Sequence, residues 1–168
     1  MPRRHDSLIP LTHDHHHTLA QARRLKDLSQ TDDPTERRNV ANDFINFYFG
    51  RAVRHFHEEE ELFFAPLVDD PEAGSLVLRA VTEHLRLHAL VRIVKRQLTE
   101  GEADSETLTK ISDLLTEHVR FERDVSRIVY NDNLELLQEL QGHGLSLSAI
   151  ERFFESIPVD ATPEQIAL

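Results

Sequence analysis

Eleven histidines stand beside 30 acidic residues in this 168-residue chain, and three pairs recur at a spacing of four: His55 with Glu59, His84 with His88, and His118 with Glu122. Residues at i and i+4 share one face of a helix with Cβ atoms ~5–6 Å apart, so each pair is able to reach one metal ion or one pair of ions. Imidazole nitrogen and carboxylate oxygen are the donors from which non-thiolate transition-metal sites are built. The chain has no cysteine, which excludes thiolate sites, iron–sulfur clusters, disulfides and cysteine nucleophiles. Any metal chemistry here uses nitrogen and oxygen ligands.

Such ligands need elements to hold them. Glycine and proline are scarce, and they mark breaks at 29–34, 69–75 and 99–105. The segments between are rich in Leu, Ala, Arg and Glu with apolar residues three and four apart, and none alternates as a half-buried strand does. The pattern predicts helices over 12–28, 34–67, 75–99 and 105–131. Pro34 and Ser75 suit helix starts, and Gly101 suits a stop. Short connections make sequential helices antiparallel neighbours, so the expected fold is all-α, an up-down-up-down four-helix bundle. Residues 1–131 form the expected bundle. Residues 132–168 form the expected extension, with Leu134, Leu136, Leu137, Leu140, Ile150, Phe153 and Phe154 suggesting one or two short helices that pack on the bundle or mediate self-association.

A helical wheel at about 100° per residue shows which histidines face inward. His15 shares its side with Leu11, Leu19 and Ala22, while His13 and His17 fall opposite; His16, at the boundary, is the second choice. His55 shares its side with Val40, Phe44, Tyr48 and Leu62, and Glu59 is one turn on. Glu58 is the alternative carboxylate, and Glu59 has the smaller angular offset. His84 and His88 share the side of Val77, Ala80, Leu87, Val91 and Leu98. His118 and Glu122 share the side of Ile111, Leu114, Phe121 and Val125. Tyr48 reads as core packing, with a hydrogen bond near the site as its alternative, and Glu58–Glu61 read mostly as a solvated face.

All four helices thus send nitrogen ligands inward, and two send a carboxylate as well. Without a metal, burying five imidazoles and two carboxylates together costs several kcal/mol per ion unless each is well paired. His15, His55, Glu59, His84, His88, His118 and Glu122 are too many ligands for one tetrahedral zinc, and they suit two ions bridged by both carboxylates. The nitrogen-rich set favours iron over manganese, and copper would prefer tetragonal geometry. The expected cofactor is a pair of non-haem iron ions with an oxo or hydroxo bridge.

The order His15, His55-x-x-x-Glu59, His84-x-x-x-His88, His118-x-x-x-Glu122 resembles the hemerythrin-like (HHE cation-binding) domains. The stretches Leu11-Thr12-His13-Asp14-His15-His16-His17 and His55-Phe56-His57-Glu58-Glu59-Glu60-Glu61-Leu62-Phe63 look like that family's helix motifs, and the resemblance spans about residues 8–131. It implies that His84, His88 and His118 complete one iron, that His15 and His55 hold the other and leave it an open position, and that Glu59 and Glu122 bridge. Glu122 stands four residues after its histidine, where oxygen-carrying hemerythrins have an aspartate five residues on, so the chain looks nearer the diverse bacterial relatives. The expected function is binding or sensing of O2 or a related small molecule. A diiron oxidoreductase acting on peroxide or nitric oxide, and an iron-responsive regulatory protein, are the two rival readings.

Composition narrows the partners. Hydrophobic residues make up 39% and charged residues 29% of the chain, as in a globular protein. A formal charge of −11 argues against nucleic acid, whose binding needs a cationic surface. No run approaches the ~18–20 apolar residues that span a bilayer, and Met1-Pro2-Arg3-Arg4-His5-Asp6 lacks the apolar stretch of a secretory signal. A cytoplasmic protein with no membrane partner is expected, able to form a homo-oligomer through its C-terminal segment.

Overall fold

The computed structural model describes residues 9–71 and 73–132, with side chains described between 15 and 122 apart from 62, 63, 66 and 72. The expected extension beyond 132 lies outside the described residues. Within them every regular element is helical.

Helix α1 (Ile9–Ser29) ends at a turn closed by the bond from the Thr31 amide to the Leu28 carbonyl. Asp33 then starts the second rod, accepting from the amides of Thr35 at 2.8 Å and Glu36 at 3.4 Å, while Pro34 occupies a first-turn position where its missing N–H is no loss. This rod runs to Leu67, as the spacing predicts, but its winding changes twice. Helix α2 (Pro34–Phe47) opens into a π-helical turn at Tyr48–Ala52, tightens into α3 (Val53–Glu59), opens again at Glu60–Phe64 and ends in a 3₁₀ turn at Ala65–Leu67. Each wide turn rotates the side chains beyond it away from a strict 100° wheel, and such turns are frequent at functional sites.

Helix α4 (Gly74–Glu100) begins where only glycine fits, because a Cβ at Gly74 would lie 2.6 Å from the Val68 carbonyl oxygen. It stops at Gly101, whose φ of 140° is open to glycine and strained for other residues. Asp104 then caps α5 (Ser105–Asp132), accepting from the Thr107 amide at 2.8 Å and the Thr107 hydroxyl at 2.6 Å.

α1 packs on α5 and α2, and α4 packs on α5 and α2, so each rod has two neighbours. A hydroxyl ties the first pair: Ser112 Oγ donates to the Ala22 carbonyl at 2.7 Å. Between the rods lies an apolar core that includes Ala22, Leu25, Val40, Phe44, Val91, Val94, Leu108, Ile111 and Leu115. Leu115 is fully buried while Leu114 is half-buried, so at this one turn the inward side of α5 takes Leu115 in place of the Leu114 read from the wheel. Among the described residues no helix is long and apolar enough to cross a membrane.

Candidate metal centre

The apolar core gives way to polar residues near the start of α1, in α3, early in α4 and late in α5. There His15, His55, Glu58, Glu59, Glu83, His84, His118 and Glu122 are all buried. Six of these bring ligand atoms together in two overlapping groups. His15, His55, Glu59 and Glu122 make one, Glu59, His84, His118 and Glu122 make the other, and within each the ligand atoms lie within 4.8 Å of one another.

The two carboxylates belong to both groups because each divides its oxygens between them. Glu59 Oε1 is 3.0 Å from His55 Nε2 and 3.4 Å from His15 Nε2, whereas Glu59 Oε2 is 3.6 Å from His84 Nε2. Glu122 does the same in mirror order, with Oε2 3.3 Å from His15 Nε2 and Oε1 3.0 Å from His118 Nε2 and 3.7 Å from His84 Nε2. Donors bound to one ion at ~2.1 Å and at right angles are ~3 Å apart, so these separations suit two ions side by side.

Residues 9–125 match the family model of the hemerythrin HHE cation-binding domain. The chain belongs to that family. Among curated proteins and among solved structures, none matches the chain.

In this hemerythrin-like chain the donor set itself calls for cations. Among the described residues, Glu59 Oε2 and both oxygens of Glu122 are buried and accept no hydrogen bond, a costly state for carboxylates with nothing else to satisfy them. Two imidazoles are fixed in the tautomer that a metal needs. His84 Nδ1 lies 2.7 Å from Glu60 Oε1 and His118 Nδ1 lies 2.9 Å from Glu83 Oε2. An ionised carboxylate only accepts, so both rings donate from Nδ1 and, in their neutral form, carry lone pairs on Nε2. Those Nε2 atoms are 3.0 Å apart, and two lone pairs at that distance repel unless a cation or a proton lies between them. The residues present therefore fit bound metal cations.

The electrostatics say the same. Burial works to lower the pKa of His118, but Glu122 beside it, with Glu83 on its other nitrogen, raises it to about 10. His15 and His84 are raised in the same contest, burial opposing and Glu122 leading the effects that prevail. Burial pushes Glu122 up, but His118 first and then His15 and His84 hold it well below the ordinary carboxylate range. Negative charge concentrated on Glu59 and Glu122 thus draws positive charge into the interior, and protons and metal cations compete for the same nitrogens.

An outer layer orients the inner one. Arg79 Nε donates to Glu83 Oε1 at 2.8 Å while its guanidinium lies 3.9 Å over the Phe121 ring, so Arg79, Glu83 and His118 form a chain from surface to centre. Phe56 stacks on His84 with ring centres 4.0 Å apart and an interplanar angle of 17°. Glu60, Glu83, Arg79 and Phe56 have no place in the sequence reading as site residues. The i, i+4 spacing of Arg79 and Glu83 was the available signal; Glu60 lay within an acidic run that reads as a solvated face.

The remaining candidates fall outside the two groups. Glu58 is buried but takes a hydrogen bond from Arg54 Nε at 3.1 Å. His16, His17 and His57 are exposed. His88 is half-buried, its Nδ1 is 2.6 Å from the Tyr48 hydroxyl, and it belongs to neither group of ligand atoms that the other four histidines bring together. The Tyr48 hydroxyl thus makes the hydrogen bond that the sequence offers as the alternative to plain packing.

Proposed function

We propose that this hemerythrin-like protein holds two non-haem iron ions bridged by Glu59 and Glu122 and uses them to bind or sense O2 or a related small molecule. The reading takes the rods as an antiparallel up-down-up-down bundle in a soluble, cytoplasmic protein. One observation carries it: each of the two carboxylates turns one oxygen toward the His15–His55 side and the other toward the His84–His118 side. A carboxylate whose oxygens face opposite ways suits a bridge between two ions, whereas a single ion would hold one oxygen or draw both to the same side.

His15 and His55 would hold one ion and His84 and His118 the other. Iron bound in this way supplies reversible one-electron chemistry at each ion and positions at which O2, peroxide or nitric oxide is bound. The chain contributes the rest. Glu60 and Glu83 hold the imidazoles of His84 and His118 in their ligand tautomer and raise their basicity, so orientation is set before a metal arrives. Phe56, buried and stacked on His84, keeps water from that face of the ring. The π turns on either side of α3 direct Tyr48, His55, Glu59 and Glu60 into the interior from a single rod.

Metal analysis of protein purified without oxygen, with an optical spectrum before and after oxygen is admitted, tests the reading. Two iron ions per chain and a new visible absorption on exposure to oxygen are expected. One ion per chain, or iron that leaves the spectrum unchanged in oxygen, counts against it; catalytic loss of added peroxide or nitric oxide would move the assignment to an oxidoreductase.

A further inference from the structure

His84 and His88 stand one turn apart on α4, near enough for both to serve one ion, yet only His84 brings a nitrogen to the ligand groups. The difference lies in what each ring meets at Nδ1. His84 meets a carboxylate, Glu60, at 2.7 Å. His88 meets a hydroxyl, Tyr48, at 2.6 Å. Tyr48 is fully buried, and among the described residues its hydroxyl has no hydrogen-bond partner but His88. Its proton therefore goes to His88 Nδ1, since turning the bond round would leave a buried O–H with no acceptor. A neutral ring that accepts at Nδ1 carries its own proton at Nε2, where a metal needs a lone pair. A carboxylate at Nδ1 thus prepares a ligand, and a hydroxyl donor there disables one.

Packing holds His88 in that state. The Tyr48 ring meets it edge-on with centres 5.7 Å apart, and Phe56 meets it edge-on at 6.2 Å while stacking on His84. We propose that Tyr48 is a positioning residue that withholds His88 from the metal pair, so that four imidazoles and two carboxylates carry the ions and a position stays open to an external molecule on the His84–His118 side. The proposal rests on the metal pair argued above and replaces a five-histidine set by a four-histidine one. Tyr48 then governs what the centre accepts on the His84–His118 side, because a fifth imidazole would take the place that an incoming molecule uses there.

The full-length protein loaded with cobalt(II) supplies the test. Each imidazole bound to the paramagnetic ion shifts its remaining N–H proton far outside the ordinary proton spectrum, and that signal vanishes in D2O. Four such signals are expected for the unaltered chain and for His88→Ala, both with two ions bound. Tyr48→Phe removes the donor, lets the His88 proton move to Nδ1 and gains a fifth signal. Azide affinity of the iron-loaded protein is expected to fall by about tenfold in Tyr48→Phe, to change less than about twofold in His88→Ala, and to recover in the double variant. Five signals in the unaltered chain, loss of an ion from His88→Ala, or a Tyr48→Phe protein with four signals and unchanged azide affinity overturns this assignment while leaving the metal pair standing. A folded chain that takes up no cobalt overturns the metal pair itself.

Discussion

Around Leu25, Phe44, Val94, Leu108 and Ile111 the interior is filled by side chains whose only demand is to leave water and pack closely. Around His15, His55, His84 and His118 the same four rods enclose imidazoles and carboxylates, and among the described residues three of the carboxylate oxygens meet no hydrogen-bond partner. The first region is complete as a folded chain. The second is complete only when positive charge enters it, as protons or as metal. One bundle therefore carries a self-sufficient part that maintains the fold and a conditional part whose stability depends on what is bound.

Removing the metal is expected to break the symmetry between these regions most strongly. A ligand present at a thousandfold above its dissociation constant stabilises by ~4 kcal/mol, which for a domain of this size corresponds to a fall in Tm of ~8–16 °C on chelation. The loss should be local. Hydrogen exchange of the chelated protein is expected to quicken around His55–Glu59 and His118–Glu122 while the amides near Phe44, Val94 and Leu108 stay protected. Equal loss of protection in both regions would mean that the interior responds as one unit.

The converse test acts on the apolar region. Leu108 is fully buried, and truncating such a leucine to alanine costs ~2–5 kcal/mol, through lost transfer free energy and the cavity left behind. Leu108→Ala is therefore expected to lower the unfolding free energy by about 3 kcal/mol in both metal-free and metal-loaded protein while the metal content per chain is unchanged. Chemical denaturation of the two forms, with metal analysis alongside, measures it. A variant that still folds but binds less metal would show that packing in the apolar region sets the ligand geometry.

The two regions also differ in how far the sequence discloses them. The apolar one follows from periodicity alone, because burial asks only for the right side of a helix. Helices read as 12–28, 34–67, 75–99 and 105–131 lie within a few residues of those observed, with Asp33 and Gly101 marking ends for reasons visible in their types. In the polar region the wheel places His15, His55, Glu59, His84, His118 and Glu122 on inward sides, and the fold brings these six together. The same wheel places His88 inward, and nothing in spacing separates it from His84. What separates them is the partner at Nδ1, supplied in one case by Glu60 and in the other by Tyr48 from a different rod. The π turns that aim those two residues have no signature in apolar spacing, and Glu83 acquires its role only when α4 packs against α5.

The smallest expected effect concerns the layer around the metal ligands. Glu83 brings no oxygen to the ligand groups, yet it accepts from the far nitrogen of one ligand, His118 Nδ1, at 2.9 Å and from Arg79 Nε at 2.8 Å. If orientation of the imidazole is part of metal affinity, replacing this carboxylate by an amide weakens the hydrogen bond, loosens the ring and lowers its basicity. Glu83→Gln is then expected to lower metal affinity by ~10–100-fold, or ~1.4–2.7 kcal/mol, with the number of ions bound at saturation unchanged. Competition against a chelator of known strength reads this directly, and Arg79→Ala should move affinity in the same direction by less, because it acts one bond further out. Unchanged affinity in Glu83→Gln would confine the conditional region to the six inner residues and make Glu83 a structural neighbour only. A loss confined to one of the two ions would place the effect on the His84–His118 side, where the geometry puts it.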